Sequence, residues 1–223
     1  MHDHDDNFFK HYVWELPVRI CHWTVAVSIV VLSVTGFFIG RPVSFASSAS
    51  GYAMGWFRFL HFTFAYLFTI SVISRVIWSF IGNKYASWRE FLPYMTAEGR
   101  VRMLKTLRFY SFFQTTPPEG LGHNPMAATA YLGIFVLYVV MILTGFALFS
   151  EYAPHSVMAH LFGFMHHFFS DQGMRFVHHC IMWVLFAFVI NHVYSGILMD
   201  IKEQTGGISS IFNGYKFGAE KEE

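Results

Sequence analysis

The chain has 223 residues, of which 54% are hydrophobic, 20% are aromatic and only 13% are charged. A soluble domain carries about 25% charged residues, so this composition predicts an integral protein of the lipid bilayer. The formal net charge of +1 gives no indication of nucleic-acid binding. The two cysteines form no CxxC motif, which excludes a disulfide framework and a zinc ribbon.

Four apolar segments are long enough to cross the roughly 30 Å hydrocarbon core at about 1.5 Å per helical residue. Three contain no Asp, Glu, Lys or Arg, and the second contains only Arg75. We therefore predict an all-α membrane protein, a four-helix bundle with transmembrane helices over residues 20–40, 59–81, 125–150 and 176–199. The whole chain, 1–223, is interpreted as a single membrane domain with a long loop at 82–124 and a polar tail at 200–223.

Lys and Arg are concentrated in the 82–124 loop and in the two terminal segments. The loop carries six of them, the N-terminal lead two and the tail three, whereas the other two loops share three. The positive-inside rule therefore places both termini and the long loop in the cytoplasm. Within that loop, residues 96–113 mix basic and apolar side chains, a pattern that predicts an interfacial helix.

The apolar segments contain histidines. Ionisable groups at membrane depth are costly and usually functional, so these histidines are candidates for a functional site. Neutral imidazole is an iron ligand, so buried histidines on facing helices indicate haem. The four candidate ligands are His22, His61, His178 and His192. Since the sequence has no CxxCH motif, we expect b-type haem held by its ligands alone rather than covalently attached haem.

The spacing of the histidines predicts how they pair. His178 and His192 are 14 residues apart, so on one helix they lie within roughly 40° of one face and about 21 Å apart along the axis. The predicted orientation puts His61 at the external depth of His178, and His22 at the cytoplasmic depth of His192. We therefore predict two bis-histidine haems, paired His61/His178 and His22/His192. His179 is disfavoured as a ligand, because it is rotated by about 140° relative to His192.

Two further features each have competing explanations. Val34-Thr35-Gly36-Phe37 and Leu143-Thr144-Gly145-Phe146 form a short internal repeat, which we call the internal echo. Its glycines could allow close packing of helices through small residues or close approach of a flat macrocycle to the backbone, and helix packing is the favoured explanation. The predicted external loop holds four histidines that are candidate metal ligands, although a solvated or partner-facing segment is favoured. These histidines are His155, His160, His166 and His167.

Five motifs follow one another along most of the chain in an order and spacing that resemble one protein family. They are Tyr12-Val13-Trp14-Glu15-Leu16-Pro17-Val18-Arg19-Ile20-Cys21-His22-Trp23, Gly122-His123-Asn124-Pro125, Thr144-Gly145-Phe146-Ala147-Leu148, His192-Val193-Tyr194 and Asn213-Gly214-Tyr215. Together they resemble the cytochrome b subunit of membrane-bound NiFe-hydrogenases. The wider superfamily includes the di-haem subunits of formate dehydrogenases and thiosulfate reductases, but the Gly-His-Asn-Pro and Pro-Val-Arg-Ile elements favour the hydrogenase subgroup.

The resemblance implies a function and a set of partners. The family's haem-ligand positions map onto His22, His61, His178 and His192, in agreement with the pairing by depth. The resemblance further implies an anchor in the bacterial inner membrane that takes electrons from the iron–sulfur small subunit, itself joined to the large subunit that oxidises dihydrogen. Electrons would pass through two haem b groups to a membrane quinone. The chain has no cluster-binding cysteines, so it is not expected to activate dihydrogen by itself.

Three other residues are candidates for roles beside the haems. Arg19 and Arg75 are either partners of the anionic haem propionates or ordinary residues of the positive-inside pattern. His123, just before the third predicted helix, is either a quinone-site residue that relays a proton or, with Asn124, part of a helix cap. The alternatives to a hydrogenase subunit are a di-haem subunit of another dehydrogenase and a histidine-lined metal or proton transporter, which would show no haem absorbance.

Overall fold

The computed structural model describes residues 9–41, 52–115 and 124–218. The chain is mostly helical, and four of its helices are long and apolar enough to cross a membrane. They are α1 Leu16–Gly40, α2 Tyr52–Ile81, α4 Pro125–Tyr152 and α6 Asp171–Glu203. The four predicted transmembrane helices are thus confirmed. Three of them begin earlier than predicted, because an apolar run marks only the part inside the hydrocarbon core, while helical hydrogen bonding continues beyond it.

Shorter elements lie between and after the long helices. Two 3-10 turns, Trp88–Phe91 and Pro93–Met95, precede α3, Ala97–Tyr110. Thr96 caps α3, because its hydroxyl accepts the backbone N–H of Gly99 at 3.0 Å. The helix predicted at 96–113 is therefore present, although it is shorter. The remaining elements are α5 Val157–Phe162, a 3-10 turn at Gly163–His167, and α7 Gly207–Asn213.

The all-α prediction missed a two-stranded antiparallel sheet at the chain ends. β1, Phe9–Tyr12, pairs with β2, Tyr215–Gly218. Each strand has only four residues, and its partner lies at the other end of the sequence, so no local pattern announces it. The pairing brings the two ends of the described chain together.

The described residues form two compact units. The terminal unit lies within Met1–Cys21, Ser74–Gly133 and Asn191–Glu223, and the central unit lies within His22–Ile73 and Ile134–Ile190. Each long helix contributes one stretch to each unit. The single-domain interpretation of the chain stays a prediction.

The core of the central unit is apolar and draws on all four long helices. Its buried residues are Ile29, Phe68, Val72, Ile134, Tyr138, Ile181 and Leu185. The rings of Phe68 and Tyr138 meet edge to face with centroids 5.0 Å apart, an arrangement that aromatic pairs prefer. Close packing of this kind is what holds transmembrane helices together, since lipid is as apolar as the helices themselves.

The terminal unit joins the two chain ends through what we call the terminal clamp, residues 9–14 and 210–218. The backbone N–H groups of Val13 and Trp14 both donate to the carbonyl of Gly214, at 2.9 and 3.0 Å. The indole of Trp14 donates to Ser210 Oγ at 3.1 Å. Gly214 has a φ of 92°, and a Cβ there would lie 2.6 Å from the ring of Tyr12. Position 214 therefore requires glycine.

A single carboxylate connects the lead segment to the end of α2. Glu15 Oε2 accepts the indole N–H of Trp78 at 2.8 Å and the backbone N–H of Asn83 at 2.8 Å. The side-chain amide of Asn83 in turn donates to the carbonyl of Val13 at 3.0 Å. The Trp14-Glu15 and Asn213-Gly214 motifs therefore have a direct structural role in the terminal unit.

Candidate functional site

His61, on α2, is held against α1 by two consecutive residues. Its Nδ1 lies 2.9 Å from Thr35 Oγ1. Its Cε1 packs on Gly36, where a Cβ would lie 3.2 Å from that atom. A Cβ contact this short is rare, so a larger residue at position 36 would displace the imidazole.

His178, on α6, is held against α4 in the same way. Its Nδ1 lies 2.9 Å from Thr144 Oγ1, and a Cβ on Gly145 would lie 3.2 Å from its Cε1. We call Thr35-Gly36 and Thr144-Gly145 the Thr-Gly seats. They account for the internal echo of the sequence: the glycines do serve close packing, but the group that packs on each of them is an imidazole.

The two seated imidazoles both belong to the central unit. Because the threonines occupy both Nδ1 atoms, Nε2 is the nitrogen of each ring that is left to coordinate a metal. One available nitrogen on each of two imidazoles is what a bis-imidazole metal site would need. The role of His61 and His178 as ligands stays a prediction.

His179, the neighbour of His178, has different contacts. Its side chain is exposed, and its Nδ1 donates to the carbonyl of Arg175 at 2.7 Å. A Cβ on Gly40 would lie 2.9 Å from its Nε2. Its Nδ1 is thus bound within its own helix, and no threonine seat serves it among the described residues.

The other two candidate ligands have aromatic neighbours. The Tyr131 hydroxyl lies 3.4 Å from His192 Nδ1, and the two rings meet edge to face with centroids 5.7 Å apart. Tyr131 was missed from the sequence, because a tyrosine in an apolar helix carries no signal of such a contact. The ring of His22 meets that of Trp23 at 5.2 Å. His22 and His192 fall in different compact units, and their pairing stays a prediction.

Arg75 is a buried cation, 9% exposed. Its Nη2 donates to the carbonyl of Ala86 at 3.1 Å, and its guanidinium lies over the ring of Phe91 at 5.2 Å. Its Nη1 is buried without a hydrogen-bond partner in the described part of the chain. A buried unpaired donor is costly, so this nitrogen indicates an acceptor that is not among the described residues.

Arg19 resembles Arg75 in that one of its side-chain nitrogens donates a hydrogen bond and another is buried without an acceptor among the described residues. Its Nη1 donates to the carbonyl of Phe212, which ties α1 to the terminal clamp. Its Nε is buried and, among residues 9–41, 52–115 and 124–218, has no partner. Both arginines therefore have a structural contact and a spare donor.

The comparison with known proteins identifies the family. A family model described as prokaryotic cytochrome b561 matches residues 13–214. The chain belongs to this family. The match begins and ends at Val13 and Gly214, the two residues that hydrogen-bond each other in the terminal clamp.

Curated relatives of the chain share its length as well as its sequence. The "Probable Ni/Fe-hydrogenase 1 B-type cytochrome subunit" of Escherichia coli K12 is 37% identical, over 98% of this chain and 97% of the relative. Two proteins named "Probable Ni/Fe-hydrogenase B-type cytochrome subunit" are similar. That of Cupriavidus necator is 39% identical, over 92% of this chain and 86% of the relative. That of Bradyrhizobium diazoefficiens is 38% identical, over 91% of this chain and 84% of the relative.

Membership in a cytochrome b family implies a haem b cofactor, and the residues of the central unit fit it. Two imidazoles have Nδ1 bound and Nε2 left for iron, and each lies on a glycine that gives it room. In the terminal unit, Arg75 and Arg19 each have a buried nitrogen with no partner in the part of the chain that the structure describes, which suits the anionic propionates of a haem. Haem b is thus consistent with the side chains that this cytochrome provides.

Of the histidines predicted in the external loop, His166 is part of a hydrogen-bonded network. Its Nδ1 lies 2.6 Å from Asp171 Oδ1, and its Nε2 lies 3.0 Å from the carbonyl of Ala147 and 3.0 Å from Ser150 Oγ. Burial alone would lower the pKa of His166, but the hydrogen bonds to Asp171 and Ala147 raise it above its usual value. His166 therefore links the end of α4 to the start of α6.

A metal is not needed to explain this cluster. Donor atoms of Glu151, His166 and Asp171 lie within 4.8 Å of one another. However, Arg175 binds Glu151 at 3.0 Å, and both nitrogens of His166 are already engaged, so an ion-pair network accounts for all three. The other histidines of the loop, His155, His160 and His167, are exposed.

The candidate quinone residue His123 lies outside the described residues. Its neighbour Asn124 caps α4, because its Oδ1 accepts the backbone N–H of Met126 at 2.9 Å. Pro125 is the first residue of the helix, where its missing N–H costs little. The cap that the sequence suggested for Asn124 is thus confirmed, while the role of His123 stays a prediction.

Proposed function

We propose that this cytochrome is the membrane-anchoring electron-transfer subunit of a NiFe-hydrogenase, and that it carries electrons from the iron–sulfur small subunit to a membrane quinone. The near full-length similarity to proteins named as hydrogenase B-type cytochrome subunits supports the partner. The observation that carries the chemistry is the pair of Thr-Gly seats, which leave one nitrogen of His61 and one of His178 for an iron.

The proposed cofactor content is two haem b groups, one held by His61 and His178 and one by His22 and His192. Bound haem supplies reversible one-electron transfer. The chain's own contribution is to orient the imidazoles and to keep water away from them. The apolar core of the central unit provides that low-dielectric environment.

Arg75 and Arg19 are suited to bind the propionate groups of a haem. Arg75 and Arg19 each use one nitrogen to fix a backbone carbonyl and have another buried without a partner in the described chain. A propionate carboxylate would accept from those nitrogens and neutralise the buried charge. We assign both residues to the cytoplasmic haem, the one held by His22 and His192.

The proposed location is the bacterial inner membrane, with both termini in the cytoplasm. A reporter that is active only in the cytoplasm, fused after Glu223, should give full activity, because the Lys- and Arg-rich segments stay inside. A reporter that needs the periplasm should be inactive at the same position and active within residues 153–156. The reverse result would swap the sides of both haems.

The function is tested in membranes that contain the intact complex. Addition of dihydrogen should reduce b-type haem, seen as the Soret and α bands, and should then reduce quinone. Membranes that contain this chain without the hydrogenase large subunit should show the same bands with dithionite but not with dihydrogen. A chain without haem bands would instead fit the histidine-lined transporter. Haem that dihydrogen cannot reduce would fit a subunit of another dehydrogenase.

We place the quinone site near His123, next to the capping residue Asn124. A histidine at the interface can hydrogen-bond a quinone carbonyl and relay a proton, because its unperturbed pKa is about 6.5. In the complex, His123→Ala should lower quinone reduction about a hundredfold, the low end of what general acid–base catalysis supplies. Haem content and dye reduction by dihydrogen should stay normal. Unchanged quinone reduction would exclude His123 and leave only the cap.

A further inference from the structure

The hydroxyl groups of the Thr-Gly seats have more than one neighbour. Thr35 Oγ1 lies 2.7 Å from the carbonyl of Val31, one turn earlier in α1, as well as 2.9 Å from His61 Nδ1. Thr144 Oγ1 lies 2.7 Å from the carbonyl of Val140, one turn earlier in α4, and 2.9 Å from His178 Nδ1. Each hydroxyl thus stands between a carbonyl oxygen and an imidazole nitrogen.

The single hydrogen of a hydroxyl decides which way these bonds run. A carbonyl oxygen can only accept, so the hydroxyl hydrogen goes to Val31 in one seat and to Val140 in the other. The threonine oxygen then accepts from the imidazole, which requires a hydrogen on Nδ1 of His61 and of His178. A neutral imidazole with its hydrogen on Nδ1 has its lone pair on Nε2.

The seats also fix where the lone pair points. Glycine lets the Cε1 edge of each ring sit directly on the helix, 3.2 Å from the place of a Cβ. The ring is therefore held at two neighbouring atoms, Nδ1 and Cε1, and cannot turn over without losing the hydrogen bond to Thr35 or Thr144. A Thr-Gly seat of this kind occurs on α1 and on α4.

We propose that Thr35 and Thr144 are positioning residues that fix the Nδ1–H tautomer of His61 and His178 and lower the reduction potential of the haem that these two ligands hold. The proposal rests on the proposed haem ligation. An N–H···O bond on the far side of an axial imidazole raises the basicity of the ligand and favours the oxidised iron. Loss of that bond should therefore raise the potential.

The experiment is a redox titration of the purified holo-complex, followed by absorbance and electron paramagnetic resonance. In Thr35→Val and in Thr144→Val, one haem should titrate at a higher potential than in the wild type, and the double variant should shift further. The other haem should stay in place as an internal reference. Thr35→Ser and Thr144→Ser retain the hydroxyl and should titrate as the wild type.

Thr69→Val is the matched control. Thr69 also lies on a transmembrane helix of the central unit, and its hydroxyl donates to the carbonyl one turn earlier, that of Ala65, at 2.8 Å. Among the described residues, it has no hydrogen bond to an imidazole. Its variant should leave both potentials unchanged. Unchanged potentials in both valine variants, or equal shifts in the valine and serine variants, would overturn the proposal.

Failure of the ligand assignment would look different. If His61 and His178 did not hold haem, their alanine variants would retain both haems, and the threonine variants would be irrelevant to potential. If only the present inference failed, the alanine variants would lose one haem while the valine variants titrated as the wild type. Haem content of the valine variants shows whether they fold, because both haems should still be bound.

Discussion

His178→Ala should reduce the haem content of the purified protein by half, from the two proposed haems per chain to one. His178 is the only donor that α6 places on the Thr144-Gly145 seat, and alanine offers iron no ligand in its place. His61→Ala should remove the same haem, so the double variant should lose no more than either single variant. Haem per protein, measured on the extracted cofactor, and the reduced spectrum of each variant test this.

The neighbouring histidine provides the control. His179→Ala should retain both haems, because the Nδ1 of His179 bonds Arg175 in its own helix. Its side chain is exposed, so its removal should disturb the core little. If His179→Ala depleted haem while His178→Ala did not, the assignment of ligands by helix face would be wrong.

Glu15→Ala should lower the stability of the terminal unit by about 2–6 kcal/mol. It removes the acceptor of two donors, the indole of Trp78 and the backbone N–H of Asn83, and each donor left unsatisfied costs about 1–3 kcal/mol. Thermal unfolding of the detergent-solubilised protein should show the loss as a lower midpoint. Glu15→Gln, which retains one acceptor oxygen, should lose less than half as much.

Glu98→Ala is a suitable reference for that measurement. Glu98 is an exposed carboxylate in the first turn of α3 and belongs to the same unit. Its loss should change the midpoint little, as is usual for surface positions. Equal midpoints for Glu15→Ala and Glu98→Ala would mean that the Glu15 contacts do not stabilise the protein.

Much of this architecture follows from patterns that are local in the sequence. Apolar runs without charge predict α1, α2, α4 and α6, because a bilayer imposes both length and composition. The spacing of His178 and His192 on one helix is likewise a local quantity. The helix positions and the histidine spacing could therefore be predicted without knowledge of the contacts between helices.

Contacts between distant residues could not be obtained this way. The sequence shows the Thr-Gly echo at positions 35 and 144, but not that each pair holds an imidazole from another helix. Tyr131 has no periodic or compositional mark of its contact with His192. The pairing of β1 with β2 depends on two short strands at opposite ends of the chain, which no local rule joins.

The terminal clamp also has a consequence for biogenesis. β2 is synthesised after every other described element, so β1 has an unpaired edge until about residue 218 has been made. Until then Val13 and Trp14, which are 0% and 7% exposed in the folded protein, lack part of their cover. An unpaired strand edge beside apolar side chains invites chaperones, proteases and aggregation. A nascent or C-terminally truncated chain therefore exposes a strand edge and apolar side chains that quality-control factors can recognise. Formation of the terminal clamp buries them.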